Sequence, residues 1–288
     1  MAEAQSYYVP HGTKWPILGS IGLTCLLGGF ANLLNGGGTG SQAFMWIGAA
    51  IILFMMFGWF GTVVSESESG TYNKQVDTSF RWGMGWFILS EVMFFAAFFG
   101  ALYYARVFSI PWIGGEGSGV ATNAVLWPSF EAEWPTNGPE NIGGAFSPMG
   151  AWGLPAINTV ILLTSGLTVT WAHWGLLKNN RGQLILGLLG TVILGFVFVA
   201  LQALEYIHAY QELNLTLGSG VYGSTFFMLT GFHGFHVTIG AIILAVVLIR
   251  CIRGHFDSEH HFAFEAAAWY WHFVDVVWLG LFIFVYWL

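Results

Sequence analysis

Charge is what this sequence has least of. Only 8 Lys and Arg and 15 Asp and Glu occur among 288 residues, 8% in all, against about 25% in an ordinary soluble domain. So few charges cannot cover a water-facing surface of this length. That excludes most soluble enzymes, nucleic-acid binders and disordered chains. Cysteine is scarcer still. Cys25 and Cys251 fall within a span and at the inner surface in the topology below, so neither a disulfide framework nor a cysteine-rich metal site is expected. In place of charge stand apolar residues, 56% of the chain, with 18% aromatic. They lie in long runs, and the natural solvent is a bilayer.

A helix needs roughly 20 mostly apolar residues to cross a membrane. Seven stretches qualify: 16–35, 42–65, 82–108, 155–177, 183–210, 220–249 and 262–287. Glycine or polar clusters separate most of them. The third and fourth are parted by a connection, 111–153, holding Pro111, Pro128, Pro135, Pro139 and Pro148, where no continuous helix is expected. The N-terminal stretch, Met1 to Trp15, is short and polar, with no signal-peptide hydrophobic region. Lys14, Lys74, Arg81, Lys178, Arg181, Arg250 and Arg253 fall on one side of these spans and only Arg106 on the other. The positive-inside rule then puts the N-terminus inside and the C-terminus outside. The 111–153 connection lies outside and carries Glu116, Glu131, Glu133 and Glu140 with no Lys or Arg. It reads as a solvated loop whose charge favours a basic partner.

Inside the spans sit Glu91, Glu205, Glu265 and Asp275, with His173, His208, His233, His236 and His272. Carboxylates at membrane depth are costly and are usually paired or functional. Counted from the inner surface at 1.5 Å per residue, Glu91, His236, His272 and Asp275 lie about 15–21 Å deep, near the midplane. Three pairs have i,i+3 spacing and share a helical face: His233/His236, Glu205/His208 and His272/Asp275. Glu-x-x-His is a di-iron ligand pattern, but it occurs once and at a different depth from the other candidates. Hydrogen bonding between helices is the expected use of these groups, with Gly231 and Gly234 allowing close approach, and no metal site is expected. Glu91 should be either neutral or paired. Its candidate partners are His236 first and His233 second. It is either a tie between helices or a proton-handling group.

Several motifs carry a resemblance. They are Ser90-Glu91-Val92-Met93-Phe94-Phe95, Thr170-Trp171-Ala172-His173, Gln202-Ala203-Leu204-Glu205-Tyr206, Gly231-Phe232-His233-Gly234-Phe235-His236-Val237, and the run from Phe264 to Leu279. On these the chain resembles the cytochrome c oxidase subunit III family of the haem–copper oxidases, strongly over 80–288 and more loosely before. The resemblance implies an all-α integral membrane fold of seven transmembrane helices in a V-shaped bundle. Two helices (1–70) would stand against five (71–288, including the 111–153 connection), with phospholipids in the cleft. It implies a complex that reduces O2 with electrons from cytochrome c and pumps protons. Haem and copper would belong to subunits I and II, and neither a redox centre nor a catalytic residue to this chain. It implies support of subunit I, of proton uptake at Glu91 and of O2 access. It also implies lipid contacts at Trp59, Glu66, Glu68, Arg81, Arg250 and Arg253. A departure occurs before the third helix, where Tyr72-Asn73-Lys74-Gln75 replaces the family's Gly-His-His and leaves Lys74 as the phosphate-seeking cation.

Two rival classes fit less well. A membrane metal-dependent oxidase needs histidine boxes, which only Glu259-His260-His261 with His255 approaches. A proton-coupled transporter needs internal repeats and broken helices. The length and the acidic connection point to a bacterial inner membrane ahead of a mitochondrial one.

Overall fold

The computed structural model describes Tyr8, Val9 and residues 12–288. The polar N-terminal stretch therefore lies mostly outside the described residues. Those described form helices and connections with no strand. The seven long helices are α1 (Trp15–Leu34), α2 (Thr39–Glu68), α3 (Lys74–Tyr104), α4 (Leu154–Leu177), α5 (Arg181–Glu212), α6 (Gly220–Arg253) and α7 (Phe262–Leu281). Each is long and apolar enough to cross a membrane.

The largest differences from the hydropathy reading are in the third helix. The third helix begins at Lys74 rather than 82, because Asn73 Oδ1 accepts from the backbone N–H of Gln75 (3.1 Å) and Val76 (3.0 Å). That cap carries a polar first turn outside the apolar run. Its far end continues through a π-helical turn, Ala105–Ser109, into Ile110–Ile113, so helix runs past Pro111. The wider turn gives room where the proline ring would otherwise strike the carbonyl four residues back.

The chain forms two compact units, 1–82 and 83–288, divided inside α3. In the first, α1 and α2 make a hairpin whose glycines let backbone meet backbone. A Cβ on Gly29 would fall against the backbone of Met45, and one on Gly48 against that of Leu26. Asn32 donates to Ser41 Oγ at 2.7 Å beside the turn.

The second unit holds most of α3 with α4–α7. Its core centres on Trp271, which has no exposed surface. The indole faces Gly195 of α5 and Gly240 of α6, and its Nε1 donates to Ser165 Oγ of α4 at 2.9 Å. Four helices thus converge on one side chain through small residues, as lipid-embedded packing favours. Gly231 and Gly234, expected in that role, face only Tyr206 Oη and Gln202 Cγ at 3.4 and 4.0 Å. The close approaches between these helices are made by Gly166, Gly175, Gly187, Gly195 and Gly240.

The long connection is less loop-like than its composition suggests. It contains a short helix, Val120–Leu126, and buries Met149 and Ala151. It is tied to the α5–α6 turn by Ser147 N–H to Leu213 O (2.9 Å) and Asn214 Nδ2 to Ala145 O (2.9 Å), and to the first turn of α6 by Tyr222 N–H to Thr136 O (3.1 Å). Arg106 lies 5.8 Å from the Trp134 ring.

Candidate functional site

Glu91 lies near the middle of α3 and His236 near the middle of α6. Their side chains meet, with Nε2 of His236 2.8 Å from Oε2 of Glu91. The other imidazole nitrogen, Nδ1, is 2.6 Å from the carbonyl of Phe232. A carbonyl can only accept, so Nδ1 carries a hydrogen. The contact with Glu91 then requires one further proton, held either by the carboxyl or by the imidazole. Both arrangements are neutral overall, which is how a carboxyl is tolerated at this depth. The ring of Phe95 lies 5.0 Å from the imidazole and that of Tyr270 6.4 Å from it. Glu91 is half-buried and His236 buried, so aromatic rings surround the hydrogen-bonded pair.

His233 turns elsewhere. Its Nε2 donates to Val274 O at 3.2 Å, and its ring lies between Trp278 and Phe198. In α7, His272 Nδ1 is 3.4 Å from Asp275 Oδ2, with Thr170 Oγ1 3.2 Å from its Nε2. The midplane histidines therefore bond to different partners and do not converge on one point.

Glu205 and His208 have different partners. Glu205 is fully buried and accepts from Tyr286 Oη at 2.5 Å. His208 reaches instead to Glu212, 3.1 Å away. The two share a helical face in the sequence, but burial separates them, so Glu-x-x-His is not a ligand pair here.

Most of the residues expected to meet lipid lie at helix ends or on exposed surface, while Arg81 is half-buried two turns into α3. Trp59 is exposed and stacked on Phe60. Glu66 accepts from Tyr8 Oη (3.0 Å) and Tyr72 Oη (2.7 Å). Burial and that carboxylate push the Tyr72 phenol well above its usual range. Glu68 is exposed at the end of α2. Arg81 Nε donates to Asp77 Oδ2 at 2.8 Å. Arg250 sits 4.4 Å from the Phe256 ring, and Arg253 is exposed on the same last turn of α6.

Among the described residues, one trio of His, Cys, Asp or Glu could hold a metal: His173, His261 and Glu265. Sequence spacing missed it. His261 and Glu265 are i,i+4, but His173 comes from another helix, and only packing brings it to them. His261 alone of the 255–261 histidines joins this trio.

The profile of the family described as Cytochrome c oxidase subunit III matches residues 5–288. Relatives named Cytochrome c oxidase subunit 3 extend over nearly the whole chain. That of Carassius auratus is 41% identical over 286 residues, covering 99% of this chain and 98% of its own. That of Formosania lacustris is 42% identical with the same coverage. That of Marchantia polymorpha is 41% identical over 291 residues, covering 100% and 98%. Seven apolar helices, few charges and full-length similarity lead to one assignment: this is a multi-pass membrane protein, and it belongs to the cytochrome c oxidase subunit III family.

Proposed function

We propose that the chain serves as the non-catalytic subunit III of a proton-pumping cytochrome c oxidase. In this reading it packs against subunit I, neighbours subunit II, holds neither haem nor copper, and takes no catalytic part in O2 reduction by electrons from cytochrome c. Its own contribution is to stabilise subunit I, to support proton uptake and O2 access, and to bind phospholipid. The observation that carries this is the Glu91–His236 pair. The two side chains are hydrogen-bonded among aromatic rings at mid-helix, and in this reading one shared proton would be exchanged there without creating a net buried charge.

The test is Glu91→Ala in the assembled oxidase. Haem spectra should stay intact while turnover-linked proton uptake, or the enzyme's lifetime during turnover, falls. Loss of haem would overturn a peripheral role.

Phospholipid headgroups are assigned to the cations Arg81, Arg250 and Arg253, with Trp59, Glu66 and Glu68 beside the same chemistry at the end of α2. Replacing Arg250 and Arg253 together should strip tightly bound anionic lipid from the purified complex, read by mass spectrometry. Unchanged lipid content would reject these contacts. The cation distribution supports an inside N-terminus and an outside C-terminus. The length and the acidic connection support a bacterial inner membrane, and recovery of the native chain with mitochondria would reverse that placement.

A further inference from the structure

Where α4 ends and α7 begins, three side chains from the second unit converge. His173 lies four residues before the end of α4, His261 is the cap residue of α7, and Glu265 is in the first turn of α7. Glu265 Oε1 is 3.2 Å from His261 Nε2 and 3.9 Å from His173 Nε2. The ligand atoms of all three lie within 4.8 Å of one another.

The hydrogen bonding around them fixes what they present. His261 Nδ1 donates to Asp257 O at 2.9 Å, so the neutral ring turns an unprotonated Nε2 toward Glu265. His261 is 7% exposed. The Nε2 atoms of both histidines are buried and make no hydrogen bond. His261 Nε2 thus stands 3.2 Å from Glu265 Oε1 without a hydrogen bond between them, and the Nε2 atoms of both histidines are left for a ligand. The backbone carbonyl behind His261 is the outer-shell acceptor that metal-binding histidines use. The Asp257 carboxylate accepts from the N–H groups of Glu259 and His260, both at 2.7 Å, which holds that turn in place.

We infer that His173, His261 and Glu265 form a binding site for one divalent transition-metal ion, with zinc the best match, which ties the end of α4 to the start of α7. Two imidazoles and a carboxylate suit zinc and leave a fourth position open, whereas magnesium and calcium prefer oxygen ligands. Tetrahedral ligands at 2.0–2.1 Å from the ion stand about 3.4 Å apart. One separation already agrees, the 3.9 Å pair closes with a shift of about half an ångström, and the two histidine atoms lie within 4.8 Å of each other.

The test uses the assembled oxidase, cleared with a chelator, equilibrated with micromolar zinc and desalted before zinc is counted. The parent should retain one more zinc per complex than His173→Ala. Glu265→Gln should weaken that site about tenfold or more. His260→Ala, at an exposed imidazole, should leave it unchanged. X-ray absorption of the zinc-loaded parent, taken as a difference against Glu265→Gln, should show two imidazoles in the first shell. Equal zinc in the parent and His173→Ala overturns the site, as does a first shell without imidazole. If His173→Ala does not assemble, the absorption difference decides. A proton-only cluster would appear as no added zinc and also overturns the inference. None of these readouts depends on turnover.

Discussion

At Glu91 the choice of replacement separates two consequences of one hydrogen bond. Glutamine can donate to His236 Nε2 and preserve the contact, but it carries no transferable proton. Glu91→Gln should therefore keep stability within about 1 kcal/mol of the parent while lowering proton uptake. Glu91→Ala leaves a buried imidazole nitrogen without a partner and should cost about 1–3 kcal/mol. Comparing thermal midpoints of the two complexes checks this, and equal losses would mean the contact itself contributes little. Asp257 makes a second test possible. The Glu259 and His260 amides, with the His260 ring 3.4 Å away, hold its carboxyl below the usual carboxylate range. A lowered folded-state pKa gives support that is complete above the ordinary value near pH 4 and is lost as pH falls toward the folded one. Amide exchange at Glu259 and His260 should accelerate below about pH 4 beyond its intrinsic trend. In Asp257→Ala it should be fast throughout.

Among the helices, the glycines divide by what they face rather than by where they occur. A methyl group on Gly240 would lie 2.9 Å from the Trp271 ring, and that ring is fixed from the other side by Ser165. Gly240→Ala should cost about 1–3 kcal/mol through overpacking. Gly234→Ala, whose new methyl would meet nothing nearer than 4.0 Å, should be neutral or gain up to about 1 kcal/mol from helix propensity. Unfolding both variants in mixed micelles tests the pair, and the reverse order would reject Trp271 as the packing centre. The sequence offered no means of ranking these positions. Gly231 and Gly234 stand in the more suggestive motif, but which glycine meets a partner depends on helix rotation. Helix ends were likewise only partly legible. Hydropathy marks the apolar run of α3 but not the Asn73 cap ahead of it, whose polar turn looks like loop until its hydrogen bonds are known.

For the molecule in its membrane, the cation distribution yields a labelling experiment. After Cys25 and Cys251 are changed to serine, Glu133→Cys in the acidic connection should react with an impermeant maleimide on intact cells. Lys178→Cys, in the turn after α4, should react only after permeabilisation. Both positions are exposed, so accessibility across the bilayer, not burial, sets the result. The opposite pattern would invert the topology and put seven cations on the outer face, against the positive-inside rule.

Composition and spacing determined by themselves that the chain lives in lipid, that it crosses seven times, and that Glu91 lies at the depth of the α6 histidines. Those properties follow from rise per residue and from the cost of charge in hydrocarbon, both local to one helix. Only tertiary structure decided which histidine meets Glu91, that Glu205 belongs to Tyr286 rather than His208, and that His173 joins His261 and Glu265. Each of these depends on how one helix is rotated against another. That rotation is set by small residues packing around Trp271, and spacing along a single helix does not encode it.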